Sequence, residues 1–468
     1  MLAAIMGTSG TTLCPACEGL QREVANLRAK LADLEAKLAK SQKNSSNSSK
    51  TPSSDIVKPP RSKGKRKIGA QRGHPRHDRP PFEVAQVDEC IDYSLPLCPD
   101  CGGPVEASDE PPRVVQQVEI VAKPTIVTEH RASACWCARC QKTHYAAIDP
   151  AVRRAGLLGP RLTALVAFLK CVCHASFSTV RKFLRDVVGV RVSRGYLAKV
   201  CAKVSDSLQA SYEQLLELLP QQSVVNTDET GHKNNGQQYW TWCFRAPLFT
   251  LFKISPSRGS DVLLDVLGAE FDGVLGCDYF SAYRKYMGDC NVLVQFCLAH
   301  LIRDIKFLAN HPDRRNRAYG KRLLNAVRNL FGLIHRRERM SAKRFAMDLE
   351  DAGNELWGAA VWRVPNTPEA DNLAKRFENH GDSYIRFITT PGIEPTNNLA
   401  EQAIRFVVLD RHVTQGTRSE TGQHWSERIW TVVATCAQQG RCVFSFLYDS
   451  VVAFFHGTSP PSLVVDSP

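Results

Sequence analysis

The sequence predicts a multidomain α+β protein, and three features of its pattern carry this prediction. Near the N-terminus, apolar residues recur at alternating spacings of four and three, as in the seam of a coiled coil. Two Cys-x-x-Cys pairs then bracket a segment rich in Val, Ile and Thr, which is typical of a small metal-bound module. After Pro220 the apolar period changes from helical to strand-like, and strands then alternate with helices as in a mixed α/β sheet.

The N-terminal seam is a narrow stripe with charged residues at most of the intervening positions. Its members are Leu20, Val24, Leu27, Leu31, Leu34 and Leu38. Such a stripe favours a coiled coil between protomers, so we expect a homodimer or a higher oligomer. An amphipathic helix that packs on its own domain has the same pattern.

Residues 44–82 are rich in Ser, Pro, Gly, Lys and Arg, and they cannot bury enough apolar surface to fold alone. This linker holds ten basic residues against Asp55 and Asp78, so it carries most of the chain's net charge of +13. A flexible cationic arm binds DNA phosphates through counterion release, although a merely solvated segment has the same composition. The candidate DNA contacts on this arm are Lys63, Lys65, Arg66, Lys67 and Arg72.

The composition argues against a membrane or secreted protein. No apolar stretch approaches the roughly 20 residues that a membrane helix needs. The first ten residues lack the basic flank and long apolar segment of a secretory signal. We therefore expect a cytoplasmic protein, in which thiols stay reduced and Cys-x-x-Cys pairs bind metal.

Four cysteines are the candidate ligands of one structural Zn²⁺: Cys98, Cys101, Cys137 and Cys140. Two thiolates from each of two tight turns make the tetrahedral set that Zn²⁺ prefers. Cys135 and Cys90 lie near enough in the chain to substitute. The Val-rich segment between the pairs alternates like a strand hairpin. Cys14 and Cys17 form a third pair, for which we consider an intersubunit zinc site or free thiols.

Residues 160–219 read as helices, with a short break at residues 189–193. Ser193 is placed to cap the helix that follows. This arrangement predicts a helix-turn-helix that contacts DNA, although helical bundles share the pattern. Between about residues 313 and 385 the chain is again helical and charged, which predicts an all-helical insertion.

Three acidic residues are the candidate catalytic groups: Asp228, Asp278 and Glu401. Both aspartates end predicted apolar strands, so the fold can bring them to one edge of the sheet. Glu401 lies on a predicted helix whose polar face also carries Asn397 and Arg405, while the opposite face is apolar. Carboxylates from separate elements can hold two Mg²⁺ ions, and two such ions serve phosphodiester cleavage and strand transfer.

These residues and motifs resemble transposases of the insertion sequence 66 family, which are bacterial enzymes with a DDE catalytic domain of RNase H-like fold. The resemblance covers nearly the whole chain. It rests on the leucine seam, the tract NSSNSSKTPSSD, the paired Cys-x-x-Cys turns, Asp228 in DET, Asp278 to Tyr283, Cys297 to His300, and NNLAEQAIR around Glu401.

The resemblance implies that Asp228, Asp278 and Glu401 bind the two catalytic Mg²⁺ ions, with Mn²⁺ as a substitute. It implies transposon ends and target DNA as partners, with accessory proteins of the same element. His300 is a candidate catalytic residue facing the scissile phosphate, against the alternative of a core histidine at a helix start. Arg405 is a candidate phosphate contact, or a partner of Glu401.

The sequence departs from the family pattern at two places, where Gln402 replaces the usual arginine and Glu394 stands where an aspartate is usual before the asparagines. Neither change removes a metal ligand. The implied function is a DDE transposase that binds terminal inverted repeats and catalyses metal-dependent strand cleavage and strand transfer. The alternatives are a catalytically inactive transposase-derived DNA-binding protein and a nuclease that never joins strands.

The predicted domains follow the chain in order. They are a leucine-zipper coiled coil (18–43), a disordered basic linker (44–82), a zinc-binding module (83–150), a helical DNA-binding region (151–220), the first part of an RNase H-like catalytic core (221–310), a helical insertion (311–389), the second part of the core with Glu401 (390–440) and a C-terminal tail (441–468).

Overall fold

The computed structural model describes residues 15–41, 80–106, 112–121 and 124–464. Helix α1 (Pro15–Ser41) carries the predicted seam, and Leu20 and Leu34 expose 62% and 61% of their surface. The coiled coil stays a prediction. Cys14, the side chain of Cys17 and most of the basic arm, with Lys63, Lys65, Arg66, Lys67 and Arg72, lie outside the described residues.

The hairpin predicted between the two cysteine pairs is wrong. Residues 112–121 and 124–133 form no strand, whereas β1 (Ala134–Cys137) and β2 (Lys142–Tyr145) pair antiparallel just after them. The alternating apolar side chains are exposed, for example Val115 at 92% and Ile126 at 93%. A segment with a strand-like pattern forms a stable sheet only when one of its faces packs on a core. This segment packs on no core.

A helical region follows and contains the predicted break. Its helices are α2 (Pro150–Ala155), α3 (Pro160–Cys171), α4 (Phe177–Phe183), α5 (Arg194–Ser207) and α6 (Gln209–Leu218). A π-helical turn (Leu184–Val188) extends α4 and ends at Gly189, whose φ of +79° suits glycine. The predicted cap is confirmed, since Ser193 Oγ accepts a hydrogen bond from the Tyr196 N–H.

Five strands form the main sheet in the order β5-β4-β3-β6-β7. They are β3 (Val224–Asn234), β4 (Gln237–Arg245), β5 (Thr250–Ser255), β6 (Val274–Cys277) and β7 (Leu293–Phe296). The first three strands pair antiparallel, while β3 with β6 and β6 with β7 pair parallel. Helices α7 (Ser260–Leu267), α8 (Ser281–Cys290) and α9 (Leu298–Ala309) connect or follow these strands. The predicted α+β class is confirmed.

The remaining chain is helical. The helices are α10 (Arg314–Ile334), α11 (Ala342–Val361), α12 (Pro368–Thr389), α13 (Asn398–Thr414), α14 (Glu420–Gln438) and α15 (Val443–His456). Helices α10, α11 and α12 lie in the segment for which the sequence predicted an all-helical insertion. Helix α13 packs on β3 and β4, α14 on β5, and α12 on β7. Within the described residues, no helix is long and apolar enough to span a membrane.

The predicted C-terminal tail is wrong for most of its length. Helix α15 buries Leu447, Val451 and Phe455 completely or nearly so and packs against α3 and α5. Its apolar residues recur at helical spacing and on more than one face, so the segment has to be covered by neighbouring helices.

The outer edge of β5 is closed by side chains of α14 instead of another strand. The N–H groups of Thr250, Phe252 and Ile254 donate to Thr435 Oγ1 (3.1 Å), Thr431 Oγ1 (3.0 Å) and Glu427 Oε1 (2.7 Å) respectively. The three acceptors are spaced by four residues along the helix, and the donors by two along the strand. Four residues of helix and two residues of strand each advance about 6 Å, so the acceptors on one face of α14 line up with the N–H donors of β5.

We expect Thr431→Val to lower the free energy of unfolding by about 1–3 kcal/mol, because the buried Phe252 N–H loses its acceptor. Chemical denaturation measures this loss. The control is Thr421→Val, which makes the same change at an exposed position of the same helix. Equal stabilities for the two variants would contradict the role assigned to this edge.

Candidate active site

The register of two parallel strands aligns Asp228 with Asp278. Asn226 of β3 is the partner of Gly276 of β6, and each aspartate lies two residues beyond its member of this pair. Since side chains two residues apart face the same side of a sheet, the register carries both carboxylates to one face at one level. The two aspartates were expected near one sheet edge.

Asp228 does not end its strand, contrary to the sequence prediction. Strand β3 continues to Asn234, with Asp228 paired to Cys243 of β4, so Asp228 lies where the parallel pairing stops and the antiparallel pairing continues. The strand is long because Asn235 and Gly236, with φ of +49° and +80°, form a two-residue hairpin loop. An Asn-Gly pair between strand-like segments is the signal that predicts this hairpin.

Glu401 is positioned by the residue that caps its helix. Asn397 precedes α13, and its Nδ2 donates to the Thr227 carbonyl at 2.6 Å while its N–H donates to Cys297 Sγ at 3.1 Å. The start of α13 is therefore tied both to the residue before Asp228 and to the end of β7. As predicted from the helical spacing, the apolar face is buried, with Ala400, Ile404 and Val407 packed in the core.

The charges of Asp278 and Glu401 both act on Asp228, although among the described residues the three carboxylates do not form a group whose oxygens all lie within 4.8 Å of one another. Burial raises the pKa of Asp228 well above its usual value, and the charges of Glu229, Asp278 and Glu401 raise that pKa further. Burial and Glu229 also raise the pKa of Asp278 to about 7, against the lowering effect of the Phe280 N–H at 2.9 Å. Such mutual repulsion in a desolvated place fits the binding of divalent cations by hard oxygen ligands.

Glu229 has a different set of partners from its neighbour Asp228. Arg258 donates to Glu229 Oε1 from Nη2 (2.7 Å) and Nε (3.0 Å), and the Tyr283 hydroxyl donates to Oε2. The Arg258 guanidinium also lies 4.0 Å from the ring centroid of Phe280. Glu229 therefore forms a buried ion pair that braces the loop carrying Asp278.

His300 lies beside Glu401. Its Nδ1 is 3.6 Å from Glu401 Oε1, and Arg303 Nη2 lies 3.1 Å from His300 Nε2 and 3.4 Å from the same carboxylate oxygen. Burial, helped by Arg303, lowers the pKa of His300 to about 4, so the imidazole is neutral at pH 7. The ligand atoms of Cys297, His300 and Glu401 lie within 4.8 Å of one another and could hold a metal ion. In the sequence, Cys297 stood out only as part of the Cys297 to His300 motif.

A model of the Transposase IS66 family matches residues 155–424. This match spans more than half of the chain and includes all three carboxylates. The chain belongs to the IS66 transposase family. A second model, of a family of unknown function (DUF6444), matches residues 11–80.

A curated relative with the description "Uncharacterized protein y4qI", from Sinorhizobium fredii, is 26% identical over 288 residues. The alignment covers 55% of this chain and 52% of the relative. The chain thus spans about half the length of that relative. The IS66 match, which includes the helical region and most of the sheet, carries the family assignment.

The predicted zinc cysteines of this IS66-family chain lie in two folded turns. Hydrogen bonds from the Cys101 and Cys140 N–H groups lower the pKa values of the Cys98 and Cys137 thiols, as suits thiolate ligands. Among the residues described, however, the four sulfurs are not gathered as a group within 4.8 Å. The zinc site stays a prediction. Arg405 is exposed, and the arginine beside Glu401 is Arg303.

Asn397→Ala should lower the free energy of unfolding of the transposase domain by about 1–3 kcal/mol, since the buried Thr227 carbonyl loses its donor. The adjacent Asn398 is exposed and begins α13, so Asn398→Ala should leave stability unchanged or slightly raised. Denaturant titration of both variants measures the difference. If the two alanine variants unfold alike, Asn397 does not tie α13 to β3.

Proposed function

We propose that this protein is a DDE transposase that binds the terminal inverted repeats of an insertion sequence and catalyses metal-dependent DNA strand cleavage and strand transfer. The observation that carries the proposal is the setting of Asp228, whose pKa is raised by burial and by the nearby charges of Glu229, Asp278 and Glu401. Membership of the IS66 family supports it. The mixed sheet, with Asp228 within β3 and Asp278 directly after the neighbouring parallel strand β6, supports an RNase H-like catalytic core.

The donor set at this cluster fits two Mg²⁺ ions, with Mn²⁺ as a substitute, held by the oxygens of Asp228, Asp278 and Glu401. Two ions bound there would activate the attacking oxygen and stabilise the charge on the leaving oxygen. The thiol of Cys297 does not suit Mg²⁺, which takes oxygen ligands. The three carboxylates thus account for the metal role without Cys297.

The neighbouring side chains orient the cluster. Arg303 holds Glu401 through its contact with Oε1, and the neutral His300 can donate at one ring nitrogen and accept at the other. Neutral His300 adds no charge to the site, so it can orient Glu401 or a DNA phosphate. Asn397 fixes the start of α13, the helix that carries Glu401.

Binding of DNA ends is assigned to the predicted basic arm, the helix-turn-helix-like region and Arg405 on α13. The arm contributes positive charge, and the capped break before α5 supports a helix-turn-helix. The exposed leucine seam of α1 supports association of two protomers, which would bring two DNA ends together.

A plasmid strand-transfer assay with Mg²⁺ tests the catalytic proposal. Asp228→Asn, Asp278→Asn and Glu401→Gln should each lower the rate by at least about a thousandfold, because each removes a charged metal ligand, while DNA binding persists. The matched control is Glu394→Gln, an exposed acid on the loop before α13, which should retain wild-type activity.

Two outcomes would count against this function. Equal inactivity of wild type and Asp228→Asn, with DNA binding intact in both, would identify a DNA-binding protein without catalysis. Cleaved products that are never joined would identify a nuclease.

The zinc proposal predicts one zinc per chain in metal analysis of purified protein. Cys137→Ser should abolish this zinc and lower the melting temperature of the protein, since metal binding stabilises such a module by an amount on the order of 10 kcal/mol. Cys14→Ser should keep the wild-type ratio. If the Cys137→Ser variant still contains one zinc per chain, another site holds the metal.

A further inference from the structure

A cavity of about 590 Å³ lies between the helical region and the last part of the transposase domain. On one side it is lined by Lys170 of α3, Phe177 of α4 and Arg194 of α5. The other side consists of the end of α13, the loop with Arg418 and the first turns of α14, including Trp425. None of the three carboxylates lines this cavity, so it is distinct from the proposed metal site.

Lys170 is the unusual group in the cavity. It is 7% exposed, and Nζ makes no hydrogen bond or ion pair with any residue in the described part of the chain. Its one favourable contact is with the Phe177 ring, whose centroid lies 5.4 Å away. Nζ is not among the described polar atoms that are buried without a partner, so the ammonium group opens onto the cavity and is placed to meet an anion there.

The surrounding charges favour an anion as well. Arg194 and Arg418 lie at the exposed rim, and the first turn of α14, capped by Ser419, presents the positive end of a helix dipole. The one carboxylate in the lining, Asp410, already accepts a hydrogen bond from Trp430 Nε1 at 3.1 Å and lies 3.5 Å from His174 Nδ1. The lining therefore holds three cations, Lys170, Arg194 and Arg418, and one carboxylate, Asp410, which already contacts Trp430 and His174.

The remaining lining identifies the kind of anion. Phe177, Trp425 and Trp430 contribute aromatic surface, and aromatic rings beside basic side chains are how proteins bind the bases and phosphates of single strands. A volume of about 590 Å³ lies within the roughly 300–1,000 Å³ of small-molecule sites, so it admits a base, a sugar and a phosphate together.

We propose that this cavity binds one unpaired nucleotide of the bound DNA, with its phosphate on Lys170 and the rim arginines and its base against the aromatic lining. The inference rests on the proposed function, because it takes DNA as the substrate. Glu401 is in the first turn of α13 and Thr414 ends the same helix at the cavity. Thirteen residues of helix span about 20 Å. The cavity therefore lies about 20 Å along α13 from Glu401.

Fluorescence polarisation with the full chain, a labelled single-stranded oligonucleotide and no added divalent ion tests this proposal. Lys170→Met should weaken binding about tenfold and reduce the slope of log affinity against log salt by about 0.7, the value for one phosphate contact on a single strand. The matched control is Lys321→Met, which removes the same charge from an exposed position on α10. Its affinity should stay within about twofold of wild type.

A second variant and a melting temperature distinguish weaker binding from loss of folding. Lys170→Met keeps most of the apolar volume of the side chain, so its melting temperature should stay close to that of wild type. Arg418→Gln changes an exposed side chain, and it should weaken binding in the same direction whatever the Lys170 variant does. The proposal is overturned when both variants bind the oligonucleotide with the affinity and salt slope of Lys321→Met.

Three further outcomes separate this proposal from the proposed function. In one outcome, Lys170→Met weakens the binding of free deoxyadenosine monophosphate but leaves oligonucleotide binding unchanged. The cavity would then be a site for free nucleotides, and the DNA assignment would be overturned. A wild type that lacks strand transfer but shows the Lys170-dependent binding would overturn the catalytic function and leave the nucleotide site standing. A wild type that performs strand transfer but does not bind the oligonucleotide would overturn the nucleotide site and leave the catalytic function standing.

Discussion

One buried asparagine joins the three chain segments on which the candidate site depends. Asn397 donates from its side chain to the carbonyl of Thr227 and from its backbone to Cys297, so β3, the end of β7 and the start of α13 meet at a single residue. The two contacts span 170 and 100 residues of sequence. Because both are short and desolvated, a shift of α13 along its axis would break them. The position of Glu401 against the sheet follows from this constraint.

The burial of Asp278 opposes folding at pH values where its carboxyl group is charged. Asp278 has its pKa raised from 3.8 to about 7, so the folded state binds a proton that the unfolded state has released between these values. Stability from this group therefore falls as the pH rises through that window, and the loss is complete above pH 7. Bound cations would offset the repulsion. A site that destabilises its own fold in this way is typical of functional positions.

Local pattern predicted much of this fold, and long-range pairing decided the rest. The Ser193 cap, the helices after β7 and the buried face of α13 follow from spacing along a few turns of chain. The length of β3 depends on its partner β4, and Asp228 therefore lies within a strand instead of at its end. The Val-rich segment has the alternating apolar pattern of a strand but packs on no core, whereas α15 packs against α3 and α5. The roles of Asn397 and Lys170 depend on residues far away in sequence, which no local pattern reveals.

The helix that closes β5 also limits how copies of this chain can assemble. An open outer strand offers its backbone to a strand of another molecule, which leads to continuous sheets, exchanged strands or aggregates. Here Thr435, Thr431 and Glu427 of α14 occupy the donors on that strand, and α12 packs against β7 at the other end of the sheet. Any association between copies of this chain would therefore use surfaces other than the β5 edge.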